Sequence, residues 1–198
     1  MNKKTIILII ALLAMIPLAS FYSQTQSDRR PQNAPVTVNE QASFEVAFSP
    51  NQGADELILR LINGSASSIR LASYSFTSPE IVTALIDAKT RGVDVAVIVD
   101  HKQNIESSQD TAKHALQLLV NNQIPVATVN TFNAFHDKFI VVDGLHVQTG
   151  SYNYTRAAAN QNSENVLVIW NSPTLAVEYL NHWQNSWNTG NSFIPIND

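Results

Sequence analysis

Six residues of the chain stand at a spacing that could handle a phosphate group: His136, Lys138, Asp143, Gly150, Ser151 and Asn153. His136 and Lys138 are two positions apart, so on an extended strand both side chains project to one face and can address the same ligand. An imidazole changes protonation near neutral pH and can act as nucleophile or base, whereas an ammonium supplies a fixed positive charge. Ser151 and Asn153 add hydroxyl and amide donors for charge that develops on phosphoryl oxygens, and Gly150 lets the backbone come close to a phosphate. Asp143 is different. It lies an odd number of positions from His136, so a continuous strand would turn it away, and it directly precedes Gly144; Asp143 and Gly150 are expected to be structural.

No comparable pattern occurs elsewhere. His101, His114, His146 and His182 have no metal-ligand spacing with one another, and the chain has no Cys, so neither a metal centre, a disulfide nor any other cofactor is expected. Tyr179, Trp183 and Trp187 recur every four residues, which on a helix makes one stripe, read as core or interface rather than as a platform for bases. A formal charge of −4 argues against a generally basic nucleic-acid binder. Binding to a polyanion would then need a local cluster, for which Arg70, Arg91, Lys102, Lys138 and Arg156 are the candidates.

The elements that must position these residues follow from periodicity and punctuation. Lys3 and Lys4 precede an apolar run from Ile6 to Ala19, the length of a signal-peptide core. Residues 1–23 are therefore expected to be a signal peptide or an N-terminal anchor, 24–42 a polar linker, 43–190 the catalytic domain and 191–198 a tail. Removing Lys3 and Lys4 with the leader leaves 10 basic against 16 acidic residues, a charge of −6.

Within the domain, Phe44 to Phe48 reads as a strand and Ala54 to Ile62 as a helix stopped by Asn63-Gly64. Ser68 to Tyr74 is a strand, Ser78-Pro79-Glu80 opens a helix that ends by Gly92, and Val93 to Val99 is a β-branched run suited to a strand buried on both faces. Two strands flanking a helix suggest a parallel crossover. A helix over Thr111 to Asn121 and a strand over Ile124 to Val129 follow. Lys138 to Val142 and Leu145 to Thr149 then flank Asp143-Gly144, the signature of a tight hairpin. Val166 to Trp170 and a helix from Ser172-Pro173 to about Trp187 complete the set. The expected class is α/β, a mixed and largely parallel sheet with helices on both faces.

Taken together, His136-x-Lys138, Asp143, Gly150-Ser151 and Asn153 resemble the HKD motif of the phospholipase D superfamily. The flanks Ser73 to Thr77, Arg91-Gly92-Val93 and Asn162 to Trp170 are similar to those of its small bacterial endonucleases. The resemblance spans roughly Phe44 to Gly190 and implies a phospholipase D-like fold. It also implies metal-independent attack by one histidine on phosphorus to give a phosphohistidine, a second histidine protonating the leaving oxygen. By the same resemblance Glu164 is the acid that holds the His136 ring, so that His136, Lys138 and Glu164 are catalytic, and Lys138, Ser151 and Asn153 bind phosphate. Two histidines require two motifs and the chain has one, which implies a homodimer sharing one active site.

Three readings stand on this sequence. The first is an exported, periplasmic or extracellular endonuclease with DNA, or RNA, as substrate. The second is a phospholipase D or cardiolipin hydrolase, which an N-terminal anchor would suit. The third is an inactive phosphate or nucleic-acid binding module. HKD chemistry is blind to what hangs on the phosphodiester, so only the surrounding surface separates the first two.

Overall fold

A computed structural model describes residues 35–36, 41–107 and 110–194. The expected leader, most of the linker and the last four residues lie outside the described residues. The described residues from Val36 onward form one compact unit. Its strands are β1 (Ser43–Ser49), β2 (Ser68–Ser73), β3 (Asp94–Asp100), β4 (Val126–Val129), β5 (Lys138–Val142), β6 (His146–Gly150), β7 (Glu164–Trp170) and β8 (Asn191–Ser192). The helices are α1 (Ala54–Asn63), α2 (Pro79–Thr90), α3 (Asp110–Asn121), α4 (Arg156–Asn160) and α5 (Pro173–Thr189), with a π-helical turn at Lys102–Glu106.

Local chemistry accounts for the helix starts. Ser78 caps α2 by accepting the Ile81 amide at 3.4 Å, with Pro79 at the first helical position, and Thr155 caps α4 by accepting the Ala158 amide at 3.1 Å. Apolar stripes then fix the packing. Ile58, Leu61, Leu85 and Leu116 from α1, α2 and α3 pack with Ile69, Val97, Ile140 and Val168 on one face of the sheet. On the other face, Ala176 and Trp183 of α5 pack on Ala72, Ile98, Val141 and Ile169. Alternation within β3 assigns Val95, Val97 and Val99 to one core and Ala96 and Ile98 to the other, which is why that strand reads as a continuous apolar run. The aromatic stripe packs inward: Trp183 is buried and stacks on Trp187 at 4.7 Å, and Tyr179 meets Phe139 edge-on at 5.0 Å.

The sheet is mixed and helix-flanked as expected, but it is not largely parallel. Its order is β1-β7-β6-β5-β2-β3-β4-β8. Only β2 with β3 and β3 with β4 run parallel; the other neighbours are antiparallel. The crossovers through α2 and α3 make the parallel part, whereas the hairpin at Asp143 reverses the chain and β7 and β1 extend that antiparallel half. Strand β1 pairs with β7, Ser49 opposite Glu164, although more than a hundred residues separate them. Strand β8 falls in the stretch expected as a tail, where Asn191 pairs with Thr128.

This topology has one consequence for function. Strand β5 starts where β2 ends, Lys138 opposite Ser73, and β6 ends where β7 begins, Gly150 opposite Val166. One end of the sheet therefore collects Tyr74, Asp100, His136, Lys138, Ser151 and Glu164.

Candidate active site

His136 sits in the loop just before β5, exposed to solvent, and Lys138 is the first residue of β5, 92% shielded. The Lys138 ammonium lies 3.1 Å from His136 Nδ1 and 3.4 Å from Nε2, and it donates to the His136 carbonyl at 2.9 Å. Burial pulls the Lys138 pKa below the ordinary lysine value, while the carboxylates of Asp137 and Glu164 pull it back up. Tyr74, immediately after β2, completes the support. Its ring centroid is 4.4 Å from that of His136, and the Lys138 nitrogen stands 5.2 Å above its face.

Ser151 and Asn153 follow β6 on the same rim. The Ser151 hydroxyl donates to Glu164 Oε2 at 2.6 Å and accepts from the Asn165 amide at 3.1 Å, so its single proton is committed to Glu164. Glu164 takes a second donor from the Asn162 side chain at 3.1 Å. The expected contact of Glu164 with the His136 ring is thus not made: both carboxylate oxygens are engaged elsewhere, and the ring nitrogens face Lys138. Among the described residues the buried Asn153 Oδ1 has no hydrogen-bond partner; as an acceptor it cannot hold a phosphoryl oxygen, which leaves that task to the Asn153 amide N–H groups.

Asp143 lies at the far end of β5, five residues from Lys138 and so about 17 Å away along the strand. It accepts the Ala66 amide at 2.9 Å, the Ser67 amide at 2.7 Å, the Ser67 hydroxyl at 2.9 Å and the Ser68 amide at 2.8 Å, which ties the hairpin to the entry of β2. Burial pushes its pKa up, but these donors outweigh burial and hold it below the ordinary 3.8. Asp143 and Gly144 both have left-handed φ, 56° and 63°, as a primed hairpin turn demands. The loop has three residues, closing with Val142 opposite His146, one position later than the sequence pattern suggests. Gly150 is needed for a different contact from the one expected. A Cβ there would stand 2.2 Å from the Asn165 carbonyl oxygen, so the close approach is of β7 to β6 rather than of a phosphate.

Three positioning residues escaped the sequence reading. Asp100, buried at the end of β3, accepts the Phe135 amide at 2.7 Å and so fixes the loop that carries His136. Asn104, fully buried in the π-helical turn, donates to the Tyr74 carbonyl at 2.8 Å and the Asp100 carbonyl at 2.7 Å and accepts the Phe76 amide at 3.0 Å. Together with Tyr74 they lock the shelf under His136. The only sequence signal for them is polarity next to a buried strand. The five candidate cations do not form one cluster. Arg70 pairs with Asp94 and lies over Trp183, and Arg91 binds Ser65 Oγ at 3.1 Å beyond the end of α2, both away from the His136 rim.

An imidazole with an ammonium beside it, rimmed by hydroxyl and amide groups, can bind a phosphate and exchange a bond at phosphorus. Among the described residues, no three His, Asp or Glu side chains converge as a metal-binding set. The family described as "Cardiolipin synthase, PLD-like domain" matches residues 58–187. The chain belongs to the phospholipase D superfamily.

Relatives agree with that membership. A phospholipase D family member, Nuc from Salmonella typhimurium, has a solved structure that is 42% identical, with a TM-score of 0.75, covering 78% of this chain and 100% of that one. "Phospholipase D" of Rickettsia felis is 33% identical over 144 residues, 73% of this chain and 69% of the relative. "Mitochondrial cardiolipin hydrolase" of Mus musculus is 31% identical over 142 residues, 70% and 62% of the two chains. The protein is a phospholipase D superfamily phosphodiesterase.

Proposed function

We propose that this phosphodiesterase is an exported, metal-independent endonuclease that cleaves DNA through a phosphohistidine on His136, as a homodimer with one shared site. The observation that carries the reading is an exposed imidazole with a shielded ammonium 3.1 Å away, on an open rim of Ser, Asn and Tyr side chains. A phosphodiester inside a long polymer can reach such a rim without entering a channel. His136 of one chain attacks phosphorus while His136 of the second chain protonates the leaving oxygen. That second histidine then takes a proton from water, which attacks the phosphohistidine and frees the first. Lys138, Ser151 and Asn153 bind the phosphoryl oxygens, which requires Ser151 to turn its proton from Glu164 to substrate. Glu164 is then a positioning residue for Ser151, and its charge also acts on Lys138. Residues 1–23 serve as the export signal or as an anchor, 24–42 as the linker to the catalytic domain.

A second reading, lipid hydrolysis, is favoured by Phe132. This ring, 52% exposed and four residues before His136, is braced by stacking on Phe135 at 6.4 Å and could meet a bilayer surface. The Rickettsia and mouse relatives bear lipid names. The test is protein lacking residues 1–23, given plasmid DNA or cardiolipin vesicles in excess chelator. Nicked and linearised DNA beside intact cardiolipin is expected. Cardiolipin turnover without DNA cleavage would establish the second reading, and inertness towards both would leave only a binding module.

A further inference from the structure

Beside the His136 rim lies an open cavity of about 310 Å³ lined by Ser75, Thr77, Thr111, Thr155 and Arg156 together with Pro79 and Ala157. Its walls grow directly out of the site. Ser75 and Thr77 follow Tyr74, whose ring supports His136; Thr155 and Arg156 follow Asn153. The Thr77 and Ser78 amides both donate to the Tyr154 carbonyl at 2.9 Å, which clamps the two segments side by side. Two residues of chain span at most about 7 Å, so Thr155 at the cavity wall lies within about one sugar–phosphate repeat of Asn153 on the catalytic rim.

The lining chemistry is that of an anion site. Among the described lining residues it offers four hydroxyls and a guanidinium and no carboxylate. Thr155 already accepts the Ala158 amide, which leaves its proton to donate outward. Arg156 is held by Glu80, but only through Nε at 3.4 Å and Nη2 at 3.2 Å to one oxygen, Oε1, so the rest of its donor fork is open. A second cavity of about 160 Å³ that also has Arg156 in its wall is lined by Asp55 and Glu80 and is unsuited to an anion.

We propose that the Arg156 cavity is a second phosphate subsite, which takes the phosphate next to the scissile one, and that Glu80 moderates it by competing for the guanidinium. The inference rests on the nucleic-acid reading above and deepens it. Such a subsite favours substrates with two linked phosphates, a polynucleotide foremost, over an isolated phosphodiester.

The experiment compares kcat/KM for an oligonucleotide with kcat/KM for bis(p-nitrophenyl) phosphate, which has no second phosphate, in wild type, Arg156→Gln and Glu80→Gln. The ratio is expected to fall about tenfold in Arg156→Gln, through KM for DNA, and to rise in Glu80→Gln. Loss of one phosphate contact should also reduce the slope of log affinity against log salt by about 0.7–0.9 in Arg156→Gln. If Arg156–Glu80 is merely a clasp between α4 and α2, both variants lower both activities together and the salt slope stays put, which would overturn the proposal. If wild type hydrolyses the bis ester but leaves DNA intact, the nucleic-acid reading fails by itself. The subsite is then decided by cardiolipin, which carries two phosphates, against phosphatidylcholine, which carries one: Arg156→Gln must raise KM for the first only.

Discussion

Removing the Asp143 carboxylate should cost stability and leave chemistry alone, although Asp143 belongs to the phosphate motif. It accepts four hydrogen bonds, three of them from consecutive backbone amides, at 2.7 to 2.9 Å. Bonds to a charged acceptor are worth about 1.5–3 kcal/mol when dry, but water can reach the Ala66 and Ser67 amides, so roughly 0.5 kcal/mol each, about 2 kcal/mol together, is the better figure. Alanine would add about 1 kcal/mol for its left-handed φ. Asp143→Ala should therefore lose about 3 kcal/mol, and Asp143→Asn, which tolerates that φ and keeps one acceptor, about 1–2 kcal/mol. In a domain of this size each kcal/mol moves Tm by about 2–4 °C, giving a fall of roughly 6–12 °C for alanine. The pH dependence has a fixed sign. Because the folded carboxyl titrates below its ordinary 3.8, its contribution is complete above that value and disappears as pH falls through the folded pKa. The gap between wild type and Asp143→Asn should thus close in acid. Urea melts across pH 2 to 7, with bis(p-nitrophenyl) phosphate hydrolysis on the same samples, test this. Unchanged melts with a hundredfold loss of hydrolysis would refute the structural role.

Three further outcomes follow from the same geometry. Hydrolysis should persist in excess EDTA, measured by plasmid nicking; abolition by EDTA with recovery on adding a divalent ion would overturn the proposed mechanism. Glu164→Ala should keep measurable activity, down about 10–100-fold by kcat, because it releases Ser151 and Asn162 without touching the His136 ring. Loss as complete as that of a His136 variant would place Glu164 in the bond-breaking step. Equal amounts of wild type and His136→Ala, unfolded, mixed and refolded, should show about a quarter of wild-type activity if two chains share one site, against about half if each chain works alone.

Much of the fold is legible in the sequence because its signals are local. Ser78-Pro79 starts α2, Asp143-Gly144 turns the hairpin, and β-branched runs mark β3 and β7. Partnership is not local. Burial on both faces makes a run such as Phe139 to Val142 look the same beside a parallel or an antiparallel neighbour, so the sheet reads as more parallel than it is. The pairing of β1 with β7 leaves no mark in either segment. The short α4 and the two-residue β8 carry too little periodicity to register. In the site, the spacing of His136, Lys138, Ser151 and Asn153 identifies side chains that the fold gathers on one rim. What the spacing could not supply was the company they keep: Tyr74 under the imidazole, Asp100 and Asn104 behind the loop, and Ser151 rather than His136 against Glu164. Those contacts join segments that meet only once the sheet is assembled.

The central claim is that His136 forms and breaks the bond to phosphorus. It is tested most directly by the kcat for phosphodiester hydrolysis of His136→Ala, with circular dichroism and thermal melts on the same preparation. His136 is exposed, so the melts should match wild type within about 0.5 kcal/mol, while kcat falls at least about a thousandfold and DNA is still bound. A folded His136→Ala protein that hydrolyses the diester within tenfold of wild type would contradict it.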